Sequence, residues 1–188
     1  MATFYDSISP ALQEWIEQQH IFFVASAPLS GEGHVNLSPK GLDCFRVLGP
    51  NRVAYLDLIG SGNETSAHLA ENGRITFMFC SFDKMPRITR LFGRGETILP
   101  GSAGWDALAG HFPGGYAGVR QIIAAHIYQA QTSCGFAVPF MQFVDERETL
   151  LRSAEAKGEA AMAQYQIEKN SVSLDGLPAP LANPLTGR

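Results

Sequence analysis

Two short polar segments carry the residues of this sequence that could do chemistry. The first is Asn63-Glu64-Thr65, which follows the turn GSG and precedes a short helical pattern, SAHLAEN. The first backbone N–H groups of a helix have no intrahelical partner and carry partial positive charge, so such a turn can bind a phosphate. The alternative interpretation is that Asn63 or Thr65 simply caps the helix.

The second segment is NLSPKGLD, residues 36–43, where a predicted strand ends close to a lysine. Lys40 offers three donors to a phosphate, and Gly41 lets the backbone turn closely around a ligand. An ordinary β-turn with a solvated lysine is the other interpretation. Glu64 does not suit an anion site, because its carboxylate must point away from a phosphate, pair with a base or bond a sugar hydroxyl.

The elements that would position these segments are mostly short strands. Residues 1–19 predict an N-terminal helix, with Ser9 as its cap and Pro10 at its first position. Residues 20–99 alternate apolar runs of strand length with turn residues, which predicts an antiparallel barrel core of about six strands. The run Val53–Leu56 is apolar on both faces and predicts a buried strand.

After Pro100 the pattern predicts helices and further segments that flank the barrel, up to residue 170. We predict helices over the stretches GWDALAGHF and GVRQIIAAHIYQAQTS. A third helix is predicted over residues 145–170, with a break at Gly158. Residues 171–188 are rich in Pro and Gly and predict an extended arm that lies over a neighbour or is loose. Strands followed by helices predict one α+β domain over residues 1–188.

Composition limits the class of partner. The 14 Lys+Arg against 18 Asp+Glu, with net charge −4, argue against a nucleic-acid-binding surface. The N-terminus is not of signal-peptide type, and no apolar stretch is long enough to span a membrane. Three widely spaced cysteines and five histidines without ligand spacing favour a reduced, cytoplasmic protein without a metal site.

The order of motifs from residue 20 to residue 99 resembles one known family. HVNLSPKG, VAYLDLIGSGNETSAHLAENGRITFMF and FGRGE resemble the FMN-binding split-barrel family typified by pyridoxamine 5′-phosphate oxidase, in particular its flavin-nucleotide-binding relatives. The resemblance covers somewhat under half of the chain. It implies a split β-barrel, FMN as cofactor, and a homodimer with the flavin at the subunit interface.

The resemblance also implies roles for particular residues. Lys40 falls at the phosphate end, and Asn63, Glu64 and Thr65 fall on the phosphate turn, where the oxidase commonly has a Ser-Arg-Lys type run. Another base is therefore needed to compensate Glu64, and Arg87, Arg90 and Arg94 are the candidates. The whole set implied for the cofactor is Ser38, Lys40, Gly41, Asn63, Glu64, Thr65, Arg87, Ile88, Thr89 and Arg90, with Ile88 and Thr89 beside the ring.

A loop between the second and third predicted helices gives a hypothesis for the substrate side. Ser133, Cys134 and Phe136 would line it, with Cys134 expected to be a buried structural cysteine. The resemblance leaves two functions open: a flavin-dependent oxidoreductase on an unidentified small molecule, or a flavin- or haem-binding module without turnover. Pyridoxamine phosphate oxidation itself is disfavoured, because the segment after Pro139 lacks the Arg-x-His arrangement of that enzyme.

Overall fold

The computed structural model describes residues 2–181 as an antiparallel sheet with helices on its surface. The sheet runs in the order β3-β2-β6-β7-β8-β5-β4, and β1 pairs with β8. The strands are β1 (Thr3–Tyr5), β2 (Phe22–Ser26), β3 (Asn36–Lys40), β4 (Phe45–Gly49), β5 (Arg52–Leu58), β6 (Arg74–Cys80), β7 (Ile88–Ile98) and β8 (Val119–Ser133). The α+β class predicted from the sequence is confirmed, with eight strands where about six were expected.

Four α-helices flank the sheet: α1 (Pro10–Glu17), α2 (Glu64–Asn72), α3 (Ala103–Leu108) and α4 (Thr149–Asn170). The start of α1 is as predicted, because the Ser9 hydroxyl accepts the backbone N–H of Leu12 at 3.2 Å and Pro10 is the first helical residue. The break predicted in α4 is also present, since Gly158 has φ 74°.

A cluster of aromatic rings fills the core between the strands. Tyr55, Phe77 and Phe79 are fully buried, and they contact Phe22 and Phe45 with ring centroids about 5–6 Å apart. Val53 to Leu56 are buried on both faces of β5, as their apolar pattern predicts. Tyr55 and Phe79 are thus core residues.

The prediction of a helix over GVRQIIAAHIYQAQTS was wrong, because these residues form β8, the longest strand. This strand pairs with β5 on one side and β7 on the other, and residues 120–125 are all buried. A strand buried on both faces has no alternation of polar and apolar residues, so its apolar spacing can imitate a helical period. The β-branched isoleucines of the run were the available signal for a strand.

The start of the predicted C-terminal arm folds onto its own chain. Residues 171–179, here called the C-terminal turn, are closed by a bridge between Val172 and Pro178 and by the Ser173 N–H to the Leu177 carbonyl at 2.8 Å. The remainder of the predicted arm, residues 182–188, lies outside the described residues. The C-terminal turn follows α4 directly and brings this part of the chain against α2 and the β2–β3 connection.

A close approach between β7 and β8 requires a glycine at position 93. A Cβ there would lie 2.7 Å from the His126 carbonyl oxygen and 2.9 Å from Ile127 Cδ1. Gly93→Ala should therefore lower the free energy of unfolding by about 1–3 kcal/mol through overpacking. Gly49→Ala, where a Cβ meets nothing within 4 Å, is the control and should change it by less than about 0.5 kcal/mol. Urea unfolding measures both, and equal effects would contradict the close approach.

Candidate anion-binding site

The two polar segments singled out in the sequence line one cavity of about 320 Å³. Lys40 reaches it from the end of β3, the residues before and within the first turn of α2 form one wall, and the start of β8 forms another. Thirteen residues line the cavity: Asn36, Ser38, Pro39, Lys40, Asp57, Leu58, Gly60, Ser61, Gly62, Asn63, Glu64, Thr65 and Arg120.

A buried ion-pair cluster forms the floor of this cavity. Arg120 donates to Asp57 Oδ2 through Nε at 3.1 Å and Nη2 at 2.6 Å, and Lys40 Nζ lies 3.2 Å from Asp57 Oδ1. Gln121 Nε2 donates to the same Oδ2 at 2.8 Å. The side chains of Asp57 and Arg120 are almost completely buried, whereas that of Lys40 is 26% exposed. Lys40 is therefore the member of the cluster that can still meet a ligand.

Strand register explains why these groups meet. Asp57 on β5 lies directly opposite Gln121 on β8, and the register shifts after Asp57 so that Leu58 pairs with Val119. Arg120 falls within this irregularity, and bulges of this kind redirect side chains. Burial alone would raise the pKa of Asp57, but Lys40 and Arg120 outweigh it and the pKa lies below its ordinary value. Asp57 is thus ionised at neutral pH.

The first turn of α2 leaves its backbone donors without a cap. The Asn63 side chain does not cap the helix; its Oδ1 accepts from Gln121 Nε2 at 2.8 Å, and its Nδ2 donates to the Asn170 carbonyl at 3.3 Å. Among residues 2–181, the N–H groups of Glu64 and Thr65 have no hydrogen-bond acceptor in this structure. The helix N-terminus is therefore available to an anion.

Thr65 is fixed by a polar network behind the cavity. Asn36 Nδ2 donates to Thr65 Oγ1 at 3.0 Å and to Ser26 Oγ at 3.3 Å, and Ser26 Oγ lies 2.9 Å from His68 Nδ1. Burial lowers the pKa of His68, so this histidine is neutral at pH 7. Since Thr65 Oγ1 accepts from Asn36, its own hydroxyl proton can be donated to an acceptor in the cavity or to the buried Tyr55 hydroxyl.

Glu64 forms no ion pair with a basic side chain among residues 2–181, and the C-terminal turn engages its carboxylate instead. Its Oε2 accepts the backbone N–H of Leu174 in the C-terminal turn at 3.0 Å. Its Oε1 lies over Gly62, where a Cβ would approach it to 2.6 Å. The carboxylate is thus held at the edge of the cavity against the C-terminal turn.

The arginines expected near the phosphate lie elsewhere in this chain. Arg87 stacks over the Trp15 ring at 5.3 Å, and Arg90 donates to Ser133 Oγ at 3.4 Å. Arg94 bonds the Asn72 carbonyl at 2.6 Å, at the C-terminal end of α2 and so far from its first turn. Ile88 and Thr89 are paired with strands on both sides. None of these residues lines the cavity of the same chain, although Ser38 does.

The predicted substrate residues lie outside the anion cavity as well. Gly41, which was predicted for the cofactor, also lies outside it. This glycine lines a second cavity of about 680 Å³ together with residues 141–147. Cys134 is exposed, so the expectation of a buried structural cysteine was wrong, and Phe136 is 82% exposed. The loop that holds them follows β8, the last strand of the sheet. Ser133 accepts the Arg90 bond at the end of β8.

The sequence analysis missed Asp57, Arg120, Gln121 and Asn170, which build most of the cavity's framework. A signal was present, because Asp57 interrupts the apolar run VAYLDLIG and the pair Arg120-Gln121 interrupts VRQIIAAHI. Charged residues inside a buried strand are almost never unpaired. Within the described part of the chain there is no metal-type cluster of His, Cys, Asp and Glu, and no helix could cross a membrane.

Asp57→Asn should lower the free energy of unfolding by about 3 kcal/mol at pH 7, because Arg120 stays buried without its counter-charge. The lowered pKa of Asp57 stabilises the folded chain above about pH 4, the unfolded value, and this contribution is lost as pH falls. The difference between the two proteins should therefore shrink toward pH 3. Asp43→Asn, at an exposed carboxylate paired with Arg46, is the control and should cost under about 1 kcal/mol. Urea unfolding from pH 3 to 7 tests this, and a constant difference would contradict it.

Comparison with known proteins accounts for the fold that carries this cavity. Residues 8–133 match the family profile described as pyridoxamine 5′-phosphate oxidase. The pyridoxamine 5′-phosphate oxidase family protein ustO of Aspergillus flavus is 44% identical over 198 residues, covering 95% of this chain and 78% of its own length.

Solved structures agree with this assignment at the level of the fold. A variant of HupZ from Group A Streptococcus superposes with TM-score 0.53 at 17% identity, covering 67% of this chain and 99% of its own. A candidate pyridoxamine 5′-phosphate oxidase from Lactobacillus delbrueckii gives 0.52 at 12% identity, covering 67% and 94%. The sheet described above is thus a split β-barrel, and the chain belongs to the pyridoxamine 5′-phosphate oxidase family.

Proposed function

We propose that this protein binds FMN, with the phosphate in the cavity beside Lys40, and uses it as an oxidoreductase on a small molecule. The observation that carries the proposal is the convergence of the Lys40 ammonium and the uncapped first turn of α2 on one cavity. Family membership supports a flavin as the ligand. The family-implied substrate pyridoxamine phosphate is not part of the proposal, because the Arg-x-His arrangement is absent after Pro139.

The donors around the cavity fit a phosphate group. Lys40 uses one N–H on Asp57 and has two left, and the N–H groups of Glu64 and Thr65 and the Thr65 hydroxyl can add further bonds. A volume of about 320 Å³ lies near the lower limit of pockets that hold a whole ligand. The cavity therefore suits the charged tail of a nucleotide, and the ring would extend beyond it.

A second copy of the chain would complete the site in this proposal. Arg87, directly before β7, and Arg90 on β7 line no part of this chain's cavity. The apolar side chains of Val35 and Leu37 are exposed at β3, an edge strand. Pairing two copies would cover this apolar surface and bring β7 of one protomer toward the flavin of the other. Light scattering should give the mass of two chains at micromolar concentration, and the mass of a single chain would contradict the shared site.

A bound FMN would supply hydride or electron transfer through its ring. The role of this chain's residues is to bind and orient. Lys40 neutralises part of the phosphate charge, Arg120 fixes the turn by donating to the Gly62 carbonyl at 2.8 Å, and Asn36 orients the Thr65 hydroxyl. Asp57 and Arg120 neutralise one another, so the pair adds little net charge of its own to the cavity.

Lys40→Ala should weaken FMN binding by about 10- to 100-fold, the usual effect of removing a charged hydrogen bond. Quenching of FMN fluorescence during titration measures the dissociation constant. Lys84→Ala removes an exposed lysine that does not line the cavity and is the matched control. Equal affinity of the Lys40→Ala and wild-type proteins would reject the role of Lys40, and no uptake of FMN by the wild type would reject the function.

Reduction of the bound FMN distinguishes an oxidoreductase from a protein that only binds flavin. The proposal expects NADH or NADPH to bleach the bound flavin and air to restore its colour. Flavin that stays oxidised with both donors would contradict the oxidoreductase part and leave a flavin-binding module.

A further inference from the structure

Asn170 joins the end of α4 to three parts of the cavity wall. Its side chain is completely buried; Oδ1 accepts from Arg120 Nη1 at 2.8 Å and Nδ2 donates to the Gly60 carbonyl at 3.1 Å. Its own carbonyl accepts from Asn63 Nδ2 at 3.3 Å. All of these bonds link positions at least 50 residues apart in the chain. The entry to the C-terminal turn is therefore fixed relative to the phosphate turn.

The C-terminal turn is anchored a second time at its tip. Asp175 Oδ2 accepts the His34 backbone N–H at 2.8 Å, and Oδ1 lies 2.6 Å from His34 Nδ1. Gly176 has φ 80°, and the Ser173 hydroxyl accepts the Leu177 N–H at 3.0 Å, which closes the turn. Between the two anchors the backbone N–H of Leu174 has a fixed position, and it donates to Glu64 Oε2 at 3.0 Å.

This contact solves the difficulty that Glu64 poses for an anion site. Glu64 lies at the first position of α2 and lines the cavity, so a carboxylate free to rotate there would approach a bound phosphate. Two like charges at such a distance repel strongly in a half-buried site. A backbone N–H that engages Oε2 at the edge of the cavity keeps the carboxylate away from the phosphate position.

We infer that the C-terminal turn is a positioning element of the cofactor site, in which the Leu174 N–H retains the Glu64 carboxylate so that the phosphate of a nucleotide can enter. The inference rests on the proposed function and deepens it. Asn170, Leu174 and Asp175 all lie beyond residue 133, where the match to the family profile ends. Leu174 and Asp175 act through Glu64 and do not touch the ligand.

The test removes the donor and asks whether Glu64 is needed for the effect. Leu174→Pro deletes the N–H, and Leu174→Ala, which keeps it, is the matched control. Leu174→Pro should raise the FMN dissociation constant about tenfold, and Leu174→Ala should leave it unchanged. In the Glu64→Gln background, Leu174→Pro should have no effect, because no carboxylate remains to be retained. Circular dichroism and urea unfolding verify that each variant is folded.

Riboflavin provides a readout that a merely structural role would not give. It has the flavin ring and no phosphate, so Leu174→Pro should change its affinity by less than twofold. An equal loss of affinity for FMN and riboflavin would overturn the inference, and so would an equal loss of FMN affinity with and without the Glu64→Gln substitution. FMN binding by the wild type would still uphold the proposed function in either case. A wild type that binds neither flavin would reject both.

If Leu174→Pro does not fold, the FMN dissociation constant of Asp175→Ala tests the same inference. Removing a negative charge near the cavity should tighten FMN binding if only net charge matters. The inference expects the opposite, a loss of about threefold or more, because the turn loses its anchor on His34 and the Leu174 N–H loses its position. Tighter or unchanged binding would overturn the inference.

Discussion

The buried pair of Asp57 and Arg120 is the interaction on which the cavity depends. A carboxylate with 2% exposure can stay ionised only if its charge is compensated, and here two cations and an amide surround it. Arg120 then has one nitrogen left, Nη1, and this donates to Gly62 and Asn170. One ion pair thereby connects β5, β8, the phosphate turn and the end of α4.

In the proposed site, the attraction for an anion comes from the placement of hydrogen-bond donors more than from excess charge. Lys40 and Arg120 are matched in number by Asp57 and Glu64 among the residues that line it. A carboxylate about 4 Å from a phosphate would cost about 4 kcal/mol at an effective dielectric constant near 20. In the proposed site, the bond from the Leu174 N–H to Glu64 does within one chain what the compensating base expected in Arg87, Arg90 or Arg94 would do. Three features favour an anion there: the Glu64 carboxylate is bonded to the Leu174 N–H, the first turn of α2 has no side-chain cap, and the Lys40 side chain is partly exposed.

The sequence predicted the parts of the fold whose patterns are local. The start of α1 at Ser9 and Pro10, the break in α4 at Gly158 and the strands of residues 20–99 were all predicted and are present in the structure. It failed for β8, where burial on both faces removed the alternation on which strand prediction depends. The two bends at Lys40 and Asn63 were predicted as a site because their residue types suit phosphate.

The sequence could have marked the charged residues of the framework that holds those bends, but it could not predict their partners, because the contacts join distant positions. Asp57 meets Gln121 through strand register, and Asn170 meets Gly60 across 110 residues. No local pattern encodes such contacts. The same limit explains Glu64, whose direction is decided by a turn that the sequence predicted as an arm over a neighbour or a loose end.

A crystal structure of the protein crystallised in the presence of FMN would test the central claim most directly. The account predicts the phosphate within about 3 Å of Lys40 Nζ and of the Thr65 backbone nitrogen, with the Glu64 carboxylate still on Leu174. A phosphate located outside the cavity between β3 and α2, or a Glu64 carboxylate turned into that cavity beside it, would contradict the account.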